Sequence, residues 1–137
     1  MKMRIIYHSI LGHSKKIAQA IAQELQVNAH DIREKPELNN IDLLYIVSGI
    51  YGGKSAPELL EFLKSLGSQQ IKLAVLLTSS AGKTTPATEV RTALTKLDIP
   101  VAEEEFTCQG AILFVGMGHP NKTDIQNALT FVRELSQ

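Results

Sequence analysis

The sequence predicts an α/β domain of three layers, a five-stranded parallel sheet doubly wound with helices on both faces. Three observations predict it. Short apolar runs rich in branched residues, at Met3–Tyr7, Leu43–Val47 and Leu73–Leu77, lack period-two alternation, as strands covered on both faces do. Between them lie segments whose apolar residues recur at three and four positions, so each has one helical face to bury. The two kinds of segment alternate, which implies right-handed crossovers and a parallel sheet.

Met3–Tyr7 is the first strand, and Ile17, Ile21 and Leu25, flanked by Ala18 and Ala22, mark the first helix. A weaker strand is expected at Val27–Ile32. The polar stretch Arg33–Asn40, with Pro36, reads as a connector holding at most a short helix. Leu43–Val47 is the third strand, followed by a helix on Leu59, Phe62, Leu63 and Leu66. Pro57 lies near its start, where a missing N–H costs little, and Gly67 follows it where a left-handed cap is expected. Leu73–Leu77 is the fourth strand, and Val90, Ala93, Leu94 and Leu97 mark the third helix. The fifth strand is expected around Val101–Cys108, with Ala111–Val115 a candidate continuation. Ile125, Ala128, Leu129, Val132 and Leu135 form the last helix, with Pro120 near its start. Five such strands suit the order 2-1-3-4-5, in which ligands bind on loops beyond the carboxyl ends of the strands.

The 137 residues suit one domain, 1–137, and 44% are hydrophobic, enough for a core without staples. Cys108 is the only cysteine, so no intrachain disulfide forms, and its apolar context reads as a buried structural thiol. The apolar run before His8 is too short for a signal-peptide core, and none approaches the ~20 residues of a membrane span. A soluble, cytoplasmic protein is expected. Acids and bases balance at 14 each, without the basic stripe of a nucleic-acid binder. His8, His13, His30 and His119 lack spacing for a shared metal. No Gly-x-Ser-x-Gly elbow supports serine hydrolysis.

Three loops carry the chemistry. After the first strand, Ser9, Ile10, Leu11, Gly12, His13 and Ser14 run into a helix. Free backbone N–H groups, the helix dipole and two hydroxyls make an anion site there; the competing reading is that Ser9 or Ser14 merely caps the helix. After the third strand, Ser48, Gly49, Ile50, Tyr51, Gly52 and Gly53 place three glycines around a tyrosine, as backbone approaching a flat ligand would. The competing reading is a flexible turn with a surface tyrosine. After the fourth strand, Thr78, Ser79, Ser80, Ala81, Gly82, Lys83 and Thr84 imitate the end of a phosphate-binding P-loop, but Leu77 stands where its first glycine belongs.

In order and spacing these segments resemble the flavodoxin family along nearly the whole chain. Ser9-Ile10-Leu11-Gly12-His13-Ser14 falls in register with that family's Thr/Ser-x-Thr-Gly-x-Thr phosphate loop. Asp42 to Gly52 resembles its third strand and flavin-packing loop, and Glu105–Gly110 and Gly118–Asn121 its closing strand and last-helix start. The resemblance implies a non-covalently bound flavin mononucleotide (FMN). Ser9, Gly12, His13 and Ser14 would hold its phosphate, with Ile10 and Leu11 in the same loop. Tyr51 would stack on the ring, with Ser48, Gly49 and Ile50 beside it, and Gly52 would lie by flavin N5. Thr78, Ser79, Ser80 and Gly82 would line the other edge. Leu11 stands where the family prefers a hydroxyl, Ile10 is bulkier than usual, and the loop after the fourth strand lacks an aromatic residue. The chain is also neutral where family carriers are usually acidic.

The resulting expectation is a redox protein that passes electrons to a partner protein or a small acceptor, as a carrier or as an NAD(P)H/quinone oxidoreductase. A flavodoxin-like interaction module without flavin is the alternative, and nucleotide binding through Ser79–Thr85 a third reading.

Overall fold

A computed structural model describes residues 1–51, 53–80, 86–109 and 120–135. The strands are β1 (Met3–Tyr7), β2 (Ala29–Asp31), β3 (Leu43–Tyr51), β4 (Lys54–Ser55), β5 (Ala74–Ser80) and β6 (Phe106–Gln109). The α-helices are α1 (His13–Leu25), α2 (Pro57–Leu63), α3 (Thr88–Lys96) and α4 (Lys122–Leu135). A short 3₁₀ turn, Ile32–Glu34, follows β2.

The sheet order is β2-β1-β3-β5-β6, every neighbour parallel, with the two-residue β4 antiparallel to the end of β3. Setting β4 aside, this is the expected 2-1-3-4-5. The branched runs Ile5-Ile6, Leu43–Val47 and Val75–Leu77 are buried on both faces of the sheet. On one side Ile6, Leu44, Ile46 and Leu76 pack with Leu59 and Leu63 of α2 and Val90 and Leu94 of α3. On the other Ile5, Tyr45, Val47, Val75 and Leu77 pack with Ile17 and Ile21 of α1 and Ala128 and Val132 of α4. Each helix thus buries the stripe that its three-and-four spacing provides.

Several boundaries differ from the sequence reading. β3 and β5 run three or four residues further than their apolar cores. The fifth strand starts at Phe106, Val101 making only an isolated bridge to Ala74, and 111–115 lies outside the described residues. Pro57 opens α2 as expected. Gly67 is not left-handed: α2 ends at Leu63 with Lys64 in right-handed geometry, and the Gly67 N–H donates to Gln70 Oε1 at 2.6 Å. At α4, Asn121 and Asp124 cap each other's backbone N–H groups at 2.8 and 2.9 Å, one residue beyond Pro120.

Candidate functional site

The loop after β1 is built by a glycine. The His8 N–H donates to the Val47 carbonyl at 3.1 Å and extends the ladder one residue past Tyr7. The chain then turns through Ser9, Ile10 and Leu11 to Gly12, which caps α1 at φ +88°, a conformation that penalises a β-carbon. No side chain caps α1 and its first turn holds no acid, so its N-terminal amides and dipole stay available to an anion. Neither Ser9 nor Ser14 acts as the cap. Ser14 is 1% exposed, and its Oγ has no hydrogen-bond partner. Ile10 and Leu11 are 59% and 51% exposed, so their bulk projects outward instead of filling the loop. His13 is half-buried; burial, then the charge of Lys16, lowers its pKa below the ordinary value.

The second group of expected residues sits in a strand, not a loop. Ser48, Gly49 and Ile50 pair in register with Thr78, Ser79 and Ser80, and Ile50 and Tyr51 also pair with Ser55 and Lys54. Gly53, between β3 and β4, takes φ +79°. Paired with that end of β3, Thr78, Ser79 and Ser80 belong to β5 and are buried. Gly52 and the stretch Ala81–Thr85, including Gly82, lie outside the described residues. Tyr51 does meet the first loop. Burial raises its phenol pKa, and a hydrogen bond from the Ile10 backbone N–H to its hydroxyl opposes that rise.

Sequence reasoning missed the groups behind the loop. His8 is buried, with Nε2 3.4 Å from Glu58 Oε1 of α2. The same oxygen accepts from Arg33 Nε at 2.9 Å, and Arg33 Nη2 donates to the Ser9 carbonyl at 3.4 Å. Burial lowers the His8 pKa, against the opposing pull of Glu58. Arg33 and Glu58 also border a cavity of about 620 Å³ floored by Ile32, Pro36 and Phe62. The only signal in the sequence was that His8 directly follows the first strand. Arg33 and Glu58 come from segments 25 residues apart.

Comparison with known proteins agrees with this architecture. Residues 4–129 match the flavodoxin-domain family, and the chain belongs to it. An uncharacterised protein of Methanocaldococcus jannaschii is 32% identical over 98% of both chains. Among solved structures, a flavodoxin from the domain Archaea superposes with a TM-score of 0.79 at 15% identity, over 99% of this chain and 96% of that one. Oxidised flavodoxin 1 from Bacillus cereus gives 0.74 at 20% identity, over 99% and 97%. No helix among the described residues is long and apolar enough to cross a membrane.

Proposed function

We propose that this protein is a flavodoxin-type electron carrier of the cytoplasm that binds FMN at the carboxyl edge of its sheet. The observation that carries the reading is the first loop, where an uncapped helix N-terminus, a left-handed Gly12 and a buried, unpartnered Ser14 hydroxyl converge. A buried hydroxyl without a partner is costly, and a phosphate at this helix end would give it one. Ser9, Gly12, His13 and Ser14 would hold that phosphate. Tyr51 and Gly49 at the end of β3, with Thr78, Ser79 and Ser80 at the end of β5, would border the ring. The flavin itself would supply the one-electron chemistry. The chain's own part is to bind it, orient it and keep water from one edge.

Ile10 and Leu11 stand exposed on the loop that would carry the cofactor, which favours contact with a partner protein over a closed pocket for a nicotinamide. The carrier is therefore preferred over a stand-alone NAD(P)H/quinone oxidoreductase.

The test is a visible absorption spectrum of the protein after incubation with excess FMN and desalting. Retained flavin bands, weakened in a folded Ser14→Ala variant, support the reading. A folded protein that keeps no flavin overturns it and leaves the interaction module.

A further inference from the structure

Behind the first loop, one carboxylate oxygen serves two bases. Glu58 Oε1 accepts from Arg33 Nε at 2.9 Å and lies 3.4 Å from His8 Nε2. Arg33 also touches the loop itself, through the Ser9 carbonyl. A carboxylate facing Nε2 keeps the imidazole hydrogen on that nitrogen and leaves Nδ1 bare. Nδ1 is buried and has no partner, in a residue that is 3% exposed overall.

We propose that His8 and Glu58 make anion binding at the Ser9–Ser14 loop proton-linked, by controlling how much of the Arg33 charge the loop receives. With His8 neutral, Glu58 is held by Arg33 and cancels much of its charge. With His8 protonated, Glu58 is shared with the imidazolium, and the guanidinium acts on an anion at the loop. The inference rests on the anion-loop reading and adds the groups that regulate it.

Among the described residues, the charged groups facing His8 are Glu58 from α2, Asp31 at the end of β2 and Arg33 from the turn after it. Burial and Arg33 oppose protonation; Glu58 and Asp31 favour it. Burial prevails, so His8 is neutral near pH 7 and takes its proton below the ordinary histidine range. An anion at the adjacent loop favours the charged imidazole, so binding takes up a proton. One linked proton changes affinity by at most about tenfold per pH unit.

Sulfate is the probe, because it keeps its charge where a phosphate ester would itself titrate. Sodium sulfate is added at constant ionic strength at about pH 5.5 and about pH 7.5, and the amides of Gly12 and Ser14 and the His8 ring are followed by NMR. We expect binding roughly three- to tenfold tighter at the lower pH, with the His8 pKa rising as sulfate binds. His8→Gln should abolish the pH dependence. Glu58→Gln should bind tightly at both pH values, because Arg33 is no longer cancelled. Equal affinity at both pH values in the unmodified protein overturns the linkage and spares the anion site. A pH dependence that survives His8→Gln and disappears in His13→Gln assigns the proton to His13 and also overturns it. No sulfate shift at either pH overturns the anion site and the linkage together.

Discussion

The Tyr51 ring lies over Gly49, with Oη 2.6 Å and Cζ 2.7 Å from the point that a β-carbon on residue 49 would occupy. Any side chain at position 49 must displace the ring, and the ring's hydroxyl is what meets the Ile10 N–H. Gly49→Ala is therefore expected to swing Tyr51 into solvent and release the first loop from the end of β3. The ring is the free end of a side chain, so the cost should be modest, about 1–2 kcal/mol in urea unfolding. The Tyr51 phenol, now raised by burial, should return toward its ordinary value of 10.0 in an NMR titration. An unchanged titration would show that the ring does not depend on the glycine.

Ser14 presents the opposite balance. Its Oγ is buried without a partner, so Ser14→Ala removes an unsatisfied group and should leave the free protein equally stable or more stable, by up to about 1 kcal/mol. If the hydroxyl serves an anion, the same change should weaken FMN binding roughly tenfold, the equivalent of one charge-assisted hydrogen bond. Stability is read by thermal melting and affinity by fluorescence quenching of added FMN. Loss of stability with unchanged affinity would make Ser14 a structural residue.

The sheet order and helices α1 to α4 were legible because each apolar run or stripe reports directly on what it buries. Strand ends were not. Ser48, Gly49, Thr78, Ser79 and Ser80 are polar or featureless in sequence, yet they pair in register because neighbouring strands extend together. Pairing of that kind is a tertiary property with no local signal. Gly12 was legible as the turn before α1, since a helix follows at once. Gly67 misled because the turn after α2 closes through the Gln70 side chain instead of a left-handed residue. The His8, Glu58 and Arg33 group was illegible because its members meet only when α2 and the turn after β2 pack beside β1.

Stability should carry the signature of His8. Its folded-state pKa lies below the ordinary 6.5, chiefly through burial, so below pH 6.5 the unfolded chain binds the proton more readily than the folded one. The contribution is fully present above that pH and is lost as pH falls toward the folded-state pKa. Urea midpoints should therefore decline on acidification from about pH 7 to about pH 5, and less steeply in His8→Gln. An identical slope in the two proteins would place the acid sensitivity elsewhere.

Tyr45 is fully buried at the centre of β3, opposite Ile5 and Val75. Its hydroxyl has no hydrogen-bond partner, and burial alone raises its pKa. Replacing a hydrogen-bonded tyrosine by phenylalanine normally costs stability, but here the change removes a desolvated polar group and keeps the ring. Tyr45→Phe should therefore stabilise the fold by about 1 kcal/mol, a rise of roughly 3–5 °C in Tm for a domain of this size. Tyr45→Leu should lower stability by about 1–3 kcal/mol, because the site then loses ring contacts to α1 and the neighbouring strands. If Tyr45→Phe instead destabilises, the hydroxyl must be satisfied, and a buried water bridging it to the protein is the simplest partner. A comparison of the two variants by calorimetry separates the polar from the packing contribution, since only the second variant changes the shape of the core.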